Sequence, residues 1–151
     1  MKDTHDAEFV RDYAVSVDRL WRAITRPDEL VQWFGPEGVR IESCEMDFTK
    51  IGPWVCTMRG LESGKRFKVS GQVTSVRPPK GGEGYVGFTW AWHDDNDVRG
   101  YESHVSFTVV ATDTGARLTL SHRDLPDMES AQGHTRGWLA TLPKLDRYLG
   151  K

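Results

Sequence analysis

Six consecutive segments of β-type pattern, each closed by turn residues, fill the middle of this chain and constrain its fold more than any other feature. They run over Arg40–Phe48, Trp54–Arg59, Arg66–Val76, Tyr85–Trp92, Glu102–Thr112 and Ala116–Arg123. The separators are turn chemistry: Lys50-Ile51-Gly52-Pro53, Glu62-Ser63-Gly64, Pro78-Pro79-Lys80-Gly81-Gly82, Asp94-Asp95-Asn96-Asp97 and Asp113-Thr114-Gly115. Connections this short make antiparallel neighbours. A seventh segment, Glu8–Val15, precedes them with Phe9, Tyr13 and Val15 on one face.

Helical periodicity brackets the strands. Val17, Leu20, Trp21 and Ile24 fall at i, i+3, i+4 and i+7 behind a capping Ser16. Pro27 opens a second short helix, with Asp28 and Glu29 at its positive end, Leu30, Trp33 and Phe34 on its apolar side, and Gly35-Pro36 stopping it. Near the end, Trp138, Leu142, Leu145 and Leu149 step by four, three and four after the cap Asp127. A helix from Met128 to Leu149 would be roughly 30 Å long. Pro143 interrupts it, predicting a kink or a displaced final segment.

The order β-α-α-β6-α predicts an α+β architecture: a curved seven-stranded antiparallel sheet wrapped around a long C-terminal helix. With 151 residues, the chain is expected to form a single domain over residues 1–151. A strongly twisted sheet curling around one helix leaves space between them unless large side chains fill it.

Composition removes several classes of function. Lys plus Arg is 20 against 22 Asp plus Glu, a formal net charge of −2, which gives no cationic field for nucleic acid or for an anionic membrane surface. No stretch approaches the roughly 18 apolar residues that span a bilayer, and no apolar signal core opens the chain. Two cysteines, Cys44 and Cys56, are too few for a disulfide scaffold and fall on neighbouring strands. They read as buried thiols of a cytoplasmic protein, with a cross-strand bridge left open. A homodimer is also left open.

The run Leu20-Trp21-Arg22-Ala23-Ile24-Thr25, then Pro27-Asp28-Glu29-Leu30 and Trp33-Phe34-Gly35-Pro36, resembles the opening of START-related, birch-pollen-allergen-like domains (the SRPBCC superfamily). More specifically it is similar to bacterial homologues of the activator of the ninety-kilodalton heat-shock protein ATPase. The likeness continues through Asp47, Gly71, Val73, Pro78-Pro79, Phe88-Thr89-Trp90-Ala91-Trp92 and Leu118-Thr119-Leu120-Ser121-His122 to Leu125-Pro126 and Gly137-Trp138 with Leu142 and Leu145. This resemblance implies a helix-grip fold with an internal apolar cavity. The eukaryotic activator carries an additional chaperone-contacting domain that this chain has no length to supply, so chaperone stimulation transfers poorly.

Several motifs dissolve on inspection. Gly82-Glu83-Gly84-Tyr85-Val86-Gly87 satisfies the dinucleotide spacing but enters a strand instead of opening a helix. Gly60 through Gly64-Lys65-Arg66 has the wrong spacing for a phosphate loop. The Asp94–Asp97 cluster suggests calcium, yet the twelfth place counted from Asp95 is Ser106, where an EF-hand needs Glu. His93 and His104 flank that hairpin without two further ligands in sight, so no metal site and no cofactor are expected. No Ser–His–Asp or Cys–His order with a nucleophile turn is visible.

The main constellation is aromatic: six Trp, six Phe and four Tyr. Trp54, Cys56 and Met58 alternate on one strand, Phe67, Val69, Gly71 and Val73 on the next, Phe88, Trp90 and Trp92 on a third, and Val105, Phe107 and Val109 on a fourth. Pointing to the concave side, they form either an ordinary packed core or the walls of a cavity too wide to fill. Gly71 in mid-strand and Gly137 in mid-helix each cost stability, which makes sense where a ligand or another element comes close. His122, following Leu118 and Leu120 on their strand, and His134, one turn before Trp138, are polar groups placed either to orient a ligand or to order a loop. Trp33 and Phe34 serve as a gate or a core plug.

The leading expectation is a protein binding an apolar or aromatic small molecule, lipid-like or polyketide-like, between sheet and last helix. Its candidate ligand-binding residues are Trp33, Phe34, Trp54, Met58, Phe67, Gly71, Phe88, Trp90, Phe107, Leu120, His122, His134, Trp138 and Leu142. One alternative is a cavity enzyme of cyclase, dehydratase or hydrolase type with His122 as acid or base. Another is a chaperone-related interaction module, which would need a large exposed apolar patch on an outer sheet face where Gln72, Thr74, Thr89 and Ser106 look polar.

Overall fold

The computed structural model describes residues 5–150. Met1–Thr4 and Lys151, which the single-domain expectation includes, lie outside the described residues. The elements run β1 (His5–Tyr13), α1 (Val17–Thr25), α2 (Pro27–Trp33), β2 (Val39–Glu45), β3 (Gly52–Gly60), β4 (Arg66–Lys80), β5 (Glu83–Trp92), β6 (Ser103–Thr112), β7 (Gly115–Leu125) and α3 (Met128–Tyr148). The seven strands form one antiparallel sheet in the order β1-β7-β6-β5-β4-β3-β2. The two short helices therefore carry the chain from one edge to the other, and α3 returns across the concave face. The α+β helix-grip expectation holds.

Local chemistry explains the starts and stops. Ser16 accepts from the Arg19 amide at 3.1 Å to cap α1, and Asp127 accepts from the Ser130 amide at 2.7 Å to cap α3. Leu20, Ala23 and Ile24 of α1 and Leu30 and Trp33 of α2 are buried. The Trp33 indole donates to the Ala23 carbonyl at 2.8 Å, which locks the two helices together.

Two boundaries differ from expectation for physical reasons. β4 continues through Pro78-Pro79 to Lys80, its register to β5 slipping between Arg77 and Lys80. A proline cannot donate to the ladder, so it sits where pairing is already irregular. The reversal itself is left to Gly81 and Gly82, with φ of +64° and +86°. α3 runs on through Pro143 to Tyr148 and its final turns stay seated, with Leu142 and Leu145 fully buried. Contacts around the proline hold that segment. The Glu37 amide donates to the Ala140 carbonyl at 3.2 Å, Lys144 Nζ donates to the Gly35 carbonyl at 3.0 Å, and Tyr148 Oη donates to Glu29 at 2.9 Å.

Of the outward residues that look polar in sequence, Thr89 and Ser106 are buried. The Thr89 hydroxyl accepts from the Gln72 amide at 2.8 Å, standing in for a ladder bond. Cys44 and Cys56 are directly opposed across β2 and β3 and are both free. The shared sulfur hydrogen bond lowers Cys44 below the usual thiol range and, with burial, raises Cys56 above it.

The aromatic cleft under the last helix

The concave side is divided. Beneath the C-terminal half of α3 it is solid: Phe48 and Phe88 have centroids 4.4 Å apart, Phe88 and Phe107 5.3 Å, Trp54 and Phe88 5.6 Å. The first pair is tilted and the other two meet edge to face, and rings at these separations leave no room for a guest. Trp33, Trp54, Phe88, Phe107, Leu120 and Leu142 all belong to this packed part, so they do not face open space on the concave side. Trp33, left open as gate or plug, is fully buried and lines no part of the open space described below. Phe67 lies half-buried at the margin, with Lys65 Nζ 5.4 Å from its ring centre.

Beneath the N-terminal half of α3 the same face opens into a cleft of about 420 Å³. Phe34, Gly35 and Pro36 wall it from the turn after α2, Met58 from β3, and Trp90 and Trp92 from β5. The cap Asp127 and, from α3, Glu129, Ser130, Gly133, His134, Arg136, Gly137, Trp138 and Thr141 complete it. Five of the expected residues, Phe34, Met58, Trp90, His134 and Trp138, are thus brought together. The helix face carrying Gly133 and Arg136 and the Trp92 ring were missed. Gly133 lies four residues before Gly137, Arg136 three after Gly133, and Trp92 two after Trp90, and that spacing was the available signal.

The two unexplained glycines have opposite causes. A Cβ on Gly71 would stand 1.9 Å from the Thr89 carbonyl oxygen. That carbonyl turns inward to accept the Trp54 indole N–H at 3.0 Å, so it is the neighbouring strand, not a ligand, that comes close. A Cβ on Gly137 would meet nothing within 4 Å. Its missing side chain is part of the open space.

Polar groups near the cleft form two Trp–His pairs. The Trp138 indole donates to His122 Nδ1 at 3.0 Å, His122 Nε2 lies 2.7 Å from Ser103 Oγ, and Ser103 Oγ donates to the Trp90 carbonyl at 3.3 Å. The donors and acceptors close only with His122 neutral and protonated on Nε2. Burial, with His134 and then His104 adding repulsion, pushes its imidazole down to about 3. His122 is fully buried, does not line the cleft, and has no carboxylate among its hydrogen-bond partners. His134 accepts the Trp92 indole at 3.0 Å through Nε2 and donates to the Ser130 carbonyl through Nδ1 at 2.8 Å, and burial lowers it too. Trp90 stands between the pairs, 5.5 Å from His122 and 5.4 Å from Trp138. Its indole nitrogen is the one buried side-chain polar atom without a hydrogen-bond partner among the described residues.

His93 and His104 do not approach as a pair: His93 bonds Ser70 and Asp97, and His104 bonds Asp124. Among the described residues, no group of three or more His, Cys, Asp or Glu is arranged to hold a metal ion, and no helix is long and apolar enough to cross a membrane.

Residues 14–150 match the family described as Activator of Hsp90 ATPase homolog 1-like protein. The chain belongs to that family. Its fold is that of the AHSA1 protein of Silicibacter pomeroyi, with 45% identity and a TM-score of 0.88 over 96% of this chain and 97% of that one. A protein from Chromobacterium violaceum, 18% identical, shares the fold with a TM-score of 0.82 over 97% and 98% of the two chains. Another from Nitrosomonas europaea, 24% identical, gives 0.75 over 95% and 93%. No curated protein matches the chain.

Proposed function

We propose that this protein binds an apolar or aromatic small molecule, lipid-like or polyketide-like, in the cleft between β5 and the N-terminal half of α3, acting in the cytoplasm. The observation that carries this reading is the cleft itself: about 420 Å³ of space walled by Phe34, Trp90, Trp92 and Trp138 and kept open by Gly137. Ligand sites are commonly concave, mostly apolar and of this size. Ring faces would supply contact area, and Arg136 at the rim, which makes no ion pair among the described residues, would meet a polar end. The family fits the reading, since the SRPBCC fold commonly encloses hydrophobic ligands.

A catalytic role for His122 has less support, because both of its ring nitrogens are already engaged inside the protein. The chaperone-module reading asks for one broad apolar patch. The large exposed apolar residues instead fall on separate elements, Val10 on β1, Val31 on α2, Val110 on β6 and Leu139 on α3 among them.

The test is native mass spectrometry of gently purified protein, followed by titration of the stripped protein with a fluorescent fatty acid. A retained apolar compound, and titrated binding that Gly137→Leu abolishes while the fold persists, would uphold the reading. Absence of both retention and titratable binding would end it.

A further inference from the structure

The opposite face of the sheet carries a second arrangement, unconnected with the cleft. Ser70 sits on β4, and its Oγ lies 2.7 Å from His93 Nε2 just beyond the end of β5. His93 Nδ1 lies 2.8 Å from Asp97 Oδ1, four residues on. A carboxylate acceptor at Nδ1 fixes the proton there and leaves the Nε2 lone pair to take the serine hydroxyl proton. These are the donor–acceptor relations of a serine nucleophile, its general base and the group that orients the base. They are assembled from a mid-strand serine and a hairpin loop, with none of the sharp turn that a sequence search looks for.

Three further features fit the chemistry. The His93 side chain is only 10% exposed, and its backbone amide is held by the Lys68 carbonyl at 2.9 Å, so the base is fixed and shielded. Lys68 and His93 together keep the Asp97 carboxyl below the usual range, hence ionised. Arg99 Nε is 3.0 Å from Ser70 Oγ, and its terminal nitrogen Nη2 is 3.2 Å from the Ser70 carbonyl. The guanidinium, whose Nη1 and Nη2 also face Glu102 at 3.4 Å, stands beside the attacking oxygen, where its charge opposes the negative charge that develops when the serine attacks a carbonyl. Beside Ser70, a hollow of about 390 Å³ is lined by Pro53, Trp54, Val55 and Gly71 as well as by His93 and Arg99.

We propose that Ser70, His93 and Asp97 form a hydrolytic site on the outer face of the sheet that takes small, uncharged carboxylic esters. Ser70 Oγ bonds to the carbonyl carbon while its proton passes to His93 Nε2, and the oxyanion faces Arg99. The bond to the leaving alcohol then breaks as the alcohol takes that proton. Water, deprotonated by the same nitrogen, cleaves the acyl-serine to the carboxylic acid and restores the hydroxyl. Asp97 acts as a positioning residue through His93.

The full-length protein is treated with a fluorophosphonate probe and assayed with p-nitrophenyl acetate. The expected result is one covalent adduct mapped to Ser70 and ester turnover above buffer, with both lost in Ser70→Ala. Asp97→Asn should lower kcat by about 100-fold or more while KM changes little, a split that a clasp holding the loop to the sheet would not produce. If Ser70→Ala fails to fold, His93→Gln takes its place, and labelling must collapse while near-ultraviolet circular dichroism stays native. An unlabelled wild-type protein, or an adduct that survives Ser70→Ala, overturns the proposal and leaves the three residues as a structural clasp.

Discussion

The two halves of the concave face are built from the same residue types and reach opposite ends. Under the C-terminal half of α3, phenyl rings and Trp54 interlock and are almost wholly buried. Under the N-terminal half, Trp90, Trp92 and Trp138 stand around a cleft that no side chain of α3 enters at Gly133 or Gly137. Aromatic content alone therefore does not decide between a core and a cavity. What decides is whether the covering helix sends side chains such as Leu142 and Leu145 toward the sheet or presents glycine there.

That contrast can be broken most severely by pH. His122 lies at the junction of the halves, held neutral, with its imidazole pushed down to about 3. An unfolded chain takes up the proton near the ordinary histidine value of about 6.5, so acid favours the unfolded state throughout the interval between. Stability should be complete above about pH 6.5 and fall as pH drops toward 3, by up to about 5 kcal/mol. His134, lowered in the same sense, adds to the loss. Urea unfolding at stepped pH measures it, and a flat profile would refute the buried neutral pair.

Next in size is Gly71→Ala on the packed side. Its Cβ would sit 1.9 Å from the Thr89 carbonyl oxygen, so β4 and β5 must separate or the Trp54 hydrogen bond must break. A loss of about 3 kcal/mol is expected in denaturant unfolding. Trp138→Phe keeps a ring at the junction but removes the donor to His122 Nδ1. Leaving that buried acceptor bare should cost about 1–3 kcal/mol. The smallest effect has the opposite sign. Gly137→Ala should stabilise by about 1 kcal/mol, because the new methyl meets nothing and the helix gains propensity. The same variant should weaken binding in the cleft, so thermal melting and ligand titration must move in opposite directions.

The architecture was open to reading because period and punctuation are local properties. Pro27 at a first helical position, Gly81-Gly82 at a reversal and the stepping of Trp138, Leu142 and Leu145 each act within a few residues. The site was legible only in part. Alternation puts Phe88 and Trp90 on one face, but it does not say that one lies beneath the filled half of α3 and the other beneath the open half. Gly71 and Gly137 looked alike in sequence, since each glycine's meaning depends on a partner far along the chain, the Thr89 carbonyl for one and empty space for the other. The hydrogen bonds of Ser70, His93 and Asp97 were invisible for the same reason: strand pairing, not sequence spacing, brings position 70 next to 93.

The bonds from Glu37 to Ala140 and from Lys144 to Gly35 anchor the rear of α3 to the turn that begins with Phe34. The front half is held more lightly, by the Trp92 indole on His134 and the Trp138 indole on His122, so the long helix is a beam fastened firmly behind and by two single bonds above the cleft. Lifting the front half would break those two indole–histidine bonds while the rear anchors stay shut. On the proposed ligand-binding reading, the front half would yield to a bulky guest without loosening the core that keeps the chain folded.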